Sequence, residues 1–251
     1  DVCSSDLTYL FIPVIYTFVF SFNNSVKSNL VWRGFTLNNW KNPCAAPDVC
    51  NALGNSLKIG LISTIVATIL GTLIAYALGR YSFRTRSATN LLIFLPMATP
   101  EIVMGASLLT MFLSIGVSPG FWTIVIAHVM FCISFVVVTV KARIASLDPR
   151  LEQAAMDLYA DERETFRRVT LPLLAPGIAG AALLAFSLSF DDFIITNFNS
   201  GSVNTFPKFV YISAQRGLPA SANVIGSAMF FIALIVVILG QIVGKRRRVS
   251  A

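Results

Sequence analysis

Six apolar runs, each near the length that crosses a bilayer, leave this chain few ways to fold. They fall at about residues 7–22, 53–78, 91–113, 121–140, 173–193 and 224–243, the first being the shortest. A hydrocarbon core about 30 Å thick takes roughly 20 helical residues at about 1.5 Å each. Backbone N–H and C=O groups find no water there, so each run must close its hydrogen bonds within itself, as a helix does. The ten-residue alternation of barrel strands is not seen. Of the 251 residues, 55% are hydrophobic and only 12% are charged, about half the usual charged share. The expectation is an all-α integral membrane protein, a single transmembrane domain over residues 1–251. The chain opens on Asp1-Val2, so its true N-terminus is expected upstream, and residues 7–22 read as a retained span rather than a cleaved signal.

Lysines and arginines set the orientation. Arg80, Arg84 and Arg86 follow the second run, Lys141, Arg143, Arg150, Arg163, Arg167 and Arg168 follow the fourth, and Lys245 to Arg248 follow the sixth. The other connections carry only Lys27, Arg33, Lys41, Lys208 and Arg216. Cytoplasmic loops hold the excess of basic residues, so both termini and the long loop after the fourth run are expected in the cytoplasm. The net charge of +7 sits beside apolar runs, which is a membrane pattern and not a nucleic-acid footprint. The long outer loop, residues 23–52, holds Cys44 and Cys50. An oxidising compartment permits a disulfide between them; two free thiols are the alternative. Cys132 reads as an inert packing residue.

One long charged segment interrupts the apolar pattern, from Asp148 to Ile178. Asp148 and Pro149 are a helix start. Leu151, Ala154, Ala155 and Leu158 then share one face. Asp161 with Glu164 has the spacing of a second start, and Leu171-Pro172 reads as its end. A short helix-turn-helix with a small-residue face results. Such a face lets another surface come close; a solvated loop helix is the bland alternative. This segment resembles the EAA loop of the inner-membrane permeases of binding-protein-dependent ABC importers. Gln153-Ala154-Ala155 stands at the triplet, and Leu171-Pro172 with Pro176-Gly177 opens the next span. Two positions depart from the pattern: Gln153 replaces the triplet's glutamate, with Glu152 beside it, and Tyr159 replaces the glycine of the turn. A tyrosine in a left-handed turn costs about 1–2 kcal/mol, so either the turn is built differently or a contact offsets the strain.

The resemblance implies a fold of the type I importer permease kind, six transmembrane helices with a cytoplasmic coupling helix-turn-helix at residues 148–170. It implies ATPase coupling through Glu152, Gln153, Ala154, Ala155, Leu158 and Tyr159. The implied partners are two ATP-binding subunits, a second and related permease chain, and an extracytoplasmic solute-binding protein. ATP and Mg would be bound by the ATP-binding subunits, and the chain itself would carry no cofactor or metal. The setting would be a bacterial inner membrane.

Ionisable groups inside apolar runs are costly and face a cavity or a partner. Glu101 lies roughly 15 Å into the third run, behind Pro96 and Pro100, which should kink or break it. Asp191 lies about 27 Å along the fifth run, and Asp192 follows it. His128 reads as a hydrogen-bonded packing residue. The strings Ser189-Phe190-Asp191-Asp192-Phe193 and Pro100-Glu101-Ile102-Val103 resemble the spermidine/putrescine branch of these permeases. That likeness implies a substrate path through Asp191, Asp192, Glu101, Phe190 and Phe193. A solvated turn, or an ion pair with a neighbouring subunit, is the other reading of the acidic pair. Gly71, Ala75 and Gly79 form a small-residue stripe that signals close helix packing.

Neither a phosphate-binding G-x-x-x-x-G-K-[ST] nor a nucleophile–base pair occurs, so the chain is expected to be a transporter subunit without its own ATPase site. Three readings stay open at this point. One is a permease forming half of an ATP-driven pore, for polyamines or for another small solute such as a sugar or organic anion. The others are a stand-alone channel or secondary transporter, and a membrane-bound enzyme.

Overall fold

The computed structural model describes residues 2–25, 30–45 and 47–249. Lys27, counted above among the outer charges, lies outside them, and so do the side chains of Arg216 and of residues 241–249. Among the described residues the regular structure is helical, joined by turns and loops, apart from one isolated bridge, Asn23 with Phe35. In chain order the helices are α1 Val2–Phe20, α2 Asn38–Lys41, α3 Pro47–Arg80, α4 Arg86–Ala98, α5 Glu101–Ser114 and α6 Phe121–Ala145. Then come α7 Arg150–Asp157, α8 Glu162–Thr165, a π-helical turn Phe166–Thr170, α9 Leu171–Asp191, α10 Ile194–Asn199, α11 Phe206–Arg216 and α12 Ala220–Val249.

Four stretches are long and apolar enough to cross a membrane: Asp48–Arg80, Phe121–Ala145, Glu162–Asp191 and Ala220–Ile238. The bent pair Arg86–Ala98 and Glu101–Ser114 can make a fifth, and Tyr9–Phe20 is a shorter apolar helix. The third apolar run is therefore not one straight helix. One half is bent by 107° from the other. Pro100 sits at the break, and its ring disfavours the helical conformation in the residue before it. Thr99 accordingly sits extended, with ψ 131°. Pro96 stays inside α4.

Two compact units make up the chain: residues 1–52 with 209–251, and residues 53–208. In the first unit α1 packs on α12, with the Phe18 and Phe231 rings edge to face at 5.3 Å. Its loop is built round Asn23, which is fully buried. The Asn23 amide donates to Val31 O at 2.8 Å, and its carbonyl accepts from Arg33 N at 2.7 Å. Phe22 stacks between Phe35 and Trp40. Cys44 and Cys50 are joined by a disulfide with Cα atoms 5.5 Å apart, tying the loop to the first turn of α3.

The second unit is organised on α6, which is buried along most of its length and packs against α9 and α4. The glycine stripe of α3 lies against it. A Cβ at Gly71 would come within 2.6 Å of Val136, and one at Gly79 within 2.7 Å of Ile144. Only glycine allows that approach, so the stripe serves packing. Cys132 is wholly buried in this core.

Candidate functional site

Two helix breaks face one cleft in the second unit. One is the Pro100 break, which puts Glu101 in the first turn of α5. An acid there meets the positive end of the helix dipole. The other is the α9–α10 junction. Asp191 ends α9, and Asp192 leaves the helix with ψ 123°. Its carboxylate then caps α10. Oδ2 accepts from Thr196 N at 2.8 Å and Oδ1 from Ile195 N at 3.3 Å. The cleft holds about 380 Å³ and is lined by Glu101, Phe131, Leu188, Asp191, Asp192, Phe193 and Ile194. No lysine or arginine is in that lining.

The two neighbouring aspartates do different work. Asp191 and Glu101 are exposed at the cleft. Asp192 is 9% exposed, and its carboxylate is engaged by His128. His128 Nε2 lies 3.1 Å from Asp192 Oδ2 and 3.0 Å from Thr196 Oγ1, while Nδ1 lies 2.7 Å from Ser189 Oγ. A carboxylate can only accept, so Nε2 carries the hydrogen shared with Asp192. The histidine is a packing residue whose polar atoms all have partners, and it ties α6 to α9 and α10. Asn199 extends the tie by donating to Gly105 O of α5 at 3.2 Å. Phe193 lines the cleft. Phe190 does not; it is half-buried and stacks on Phe186 at 5.8 Å.

The charged loop forms the second candidate surface. α7 begins at Arg150, whose N–H bonds the Asp148 carboxylate at 2.9 Å. Asp161 caps α8 by accepting from Glu164 N at 2.6 Å. Between them Tyr159 is left-handed, with φ 66°. Of the two ways round its strain, the turn is not built differently. Nor does the chain supply an offsetting contact, since the ring is 99% exposed. Leu158 is 81% and Leu151 47% exposed, Gln153 and Ala154 are exposed, and Ala155 is half-buried. Glu152 points the other way. It pairs with Arg80 at 3.0 Å and accepts from Thr170 Oγ1 at 3.0 Å.

The second loop helix does not end at Leu171-Pro172 as its sequence suggested. α8 runs through the π-helical turn straight into α9. Leu171 N–H bonds Phe166 O, five residues back. In a regular α-helix Pro172 would clash with the carbonyl four residues before it. The wider π turn moves that carbonyl aside, so the helix continues. The roles of Ser189, Thr196, Arg80 and Thr170 were not visible in the sequence. Ser189, Asp192 and Thr196 do stand at i, i+3 and i+7 amid apolar residues, a spacing that marks one polar face. Nothing local connects Arg80 with Glu152.

Known proteins resemble the chain along nearly its whole length. The permease protein PotC of the spermidine/putrescine transport system of Haemophilus influenzae is 35% identical over 239 residues, covering 95% of this chain and 93% of that one. The permease protein PotI of the putrescine transport system of Escherichia coli K12 is 35% identical over 229 residues, covering 88% and 81%. Among solved structures, a bacterial alginate ABC transporter in complex with an alginate pentasaccharide-bound periplasmic protein aligns at a TM-score of 0.69 with 17% identity, over 95% of this chain and 90% of that one. The MetNI methionine ABC transporter in an inward-facing conformation aligns at 0.61 with 17% identity, over 79% and 93%. These two share the fold. The family described as "binding-protein-dependent transport system inner membrane component" matches residues 60–249. With that match and those relatives, the chain belongs to the inner-membrane components of binding-protein-dependent transport systems.

Proposed function

We propose that this chain forms half of the translocation pore of an ATP-driven importer and that its cargo is a polyamine of the spermidine/putrescine kind. The observation that carries the cargo is the cleft. Glu101 and Asp191 reach it from two helix breaks, and its lining holds no basic residue. Carboxylates in a low-dielectric cleft favour a multiply charged cation over an anion or a neutral sugar. Phe193 adds a ring face, worth about 0.5–2 kcal/mol to a partly desolvated ammonium. The 35%-identical relatives are permease proteins of spermidine/putrescine and putrescine systems, which favours the same cargo.

Six spans follow if Tyr9–Phe20 with its preceding turns, and the bent pair, each count as one beside the four long helices. The basic residues put both termini and the loop of residues 148–170 in the cytoplasm. There the exposed α7 face meets an ATP-binding subunit. Two such subunits bind ATP and Mg, a second and related permease completes the pore, and a solute-binding protein delivers cargo from outside. Closure of the ATP-binding subunits shifts α7 and alternates the pore between its two facing states.

The test is uptake into vesicles carrying the chain with its partner subunits, with ATP inside. Labelled spermidine is expected to enter only with ATP, and unlabelled putrescine is expected to compete where sugars and organic anions do not. A complex that moves only neutral or anionic solutes would overturn the cargo and leave the family intact.

A further inference from the structure

Glu152 stands in the segment that meets the ATP-binding subunit in the reading above, yet its side chain faces inward. Its carboxylate takes the Arg80 Nε at 3.0 Å through Oε2 and 3.2 Å through Oε1, and Oε1 also accepts from the Thr170 hydroxyl at 3.0 Å. The Arg80 and Glu152 side chains are only 15% and 14% exposed. Arg80 is the last residue of α3, and Thr170 is the last residue of the π-helical turn from which α9 starts. One carboxylate on α7 therefore grips the ends of two membrane helices.

Little else holds α7 in place. It has eight residues, and none of them is buried, and a helix so short is not stable by itself. Its own apolar residues Leu151 and Met156 are 47% and 44% exposed. Arg168–Glu164, the loop's other ion pair among the described residues, is exposed and lies within one helix. Tyr81 OH to Glu162 is 3.5 Å long. Among the described residues, Arg80–Glu152 is thus the one largely buried ion pair between the loop and a span. The π turn beside it is a wider, less regular stretch of the kind frequent at functional sites.

We infer that Glu152 is a positioning residue, the joint through which a displacement of α7 is passed to α3 and α9, and not a contact to the ATP-binding subunit. The inference rests on the permease reading. It assigns the outward contact to Gln153, Ala154, Leu158 and Tyr159, and the inward transmission to Glu152, Arg80 and Thr170. A neutral residue at 80 or 152 leaves the remaining charge half-buried without its partner. α7 would then move without drawing the spans with it.

The experiment compares the parent with Glu152→Gln, Arg80→Gln, Thr170→Val and the exchanged pair Arg80→Glu/Glu152→Arg, in reconstituted complexes. It reads solute imported per ATP hydrolysed, together with the ATP-binding subunit retained on purification. The single charge variants should keep the subunit while import per ATP falls roughly five- to tenfold, the scale of an ordinary coupling between sites. The exchanged pair should recover most of the loss, which a merely structural role for either residue does not require. Thr170→Val should fall about two- to threefold, since one of the three contacts is removed. Unchanged import per ATP in both single charge variants would overturn the inference, and so would an exchanged pair no better than they are. Where the single variants fail to assemble, Thr170→Val decides, and a parental ratio in it overturns the joint. Absence of ATP-dependent import in the parent would strike the permease reading instead.

Discussion

The junction at Asp192 and the turn at Tyr159 both take the backbone out of a helix, and the chain treats them in opposite ways. At Asp192 the buried carboxylate is engaged through both of its oxygens. Ile195 N, Thr196 N and His128 converge on one carboxylate, and Ser189 completes the histidine. At Tyr159 the chain accepts a left-handed tyrosine, leaves its ring 99% exposed and sets Leu158 beside it at 81%. Buried polar groups have no water to fall back on and must be satisfied by the protein. An exposed turn meets water instead, and a strained residue kept there points to a functional surface. The junction is finished within its own unit, whereas the apolar side of the loop is left open.

The strongest way to break this contrast is Asp192→Ala. It strands two backbone donors and His128 in a buried site, and should cost about 3–5 kcal/mol in the unfolding of the purified chain in detergent. A loss under about 1 kcal/mol would show that the network does not hold the junction. Next in size, Ala154→Arg should lower co-purification of the ATP-binding subunit about tenfold, equal to about 1.4 kcal/mol. The chain's own stability should stay within about 0.5 kcal/mol, because the site is exposed. Normal co-purification would remove the loop from the interface. Tyr159→Gly should stabilise the isolated chain by about 1 kcal/mol through relief of the left-handed tyrosine, while weakening the complex. A less stable isolated chain would show that the tyrosine is not strained. Asp191→Asn is the smallest, within about 0.5 kcal/mol of the parent in stability, in contrast to its neighbour.

What the sequence made legible follows the range of the physics involved. The apolar runs and the Pro100 break depend on local composition and on one ring, and both appear in the helices. Neighbours on a helix point about 100° apart, so Asp191 and Asp192 do not share one environment. Which one would be buried was set by His128, 64 residues away, and no local pattern carries that. Arg80 and Glu152 are 72 residues apart, so the resemblance counted Glu152 among the coupling residues although its side chain faces inward, while Gln153 and Ala154 are exposed. Pro172 misled for a different reason. Its usual helix-ending effect was absorbed by a hydrogen bond reaching five residues back, which only the fold reveals.

Whether the acidic cleft at the two helix breaks carries a polyamine turns on its exposed carboxylate. The most direct measurement is ATP-dependent uptake of labelled spermidine and putrescine by vesicles holding either the parent or the Asp191→Asn complex, with equal assembly verified. Brisk uptake is expected of the parent, with a loss of about tenfold in Asp191→Asn, equivalent to about 1.4 kcal/mol of cation stabilisation. Equal uptake by the two would contradict it, because the exposed carboxylate would then have no part in the path of the cation.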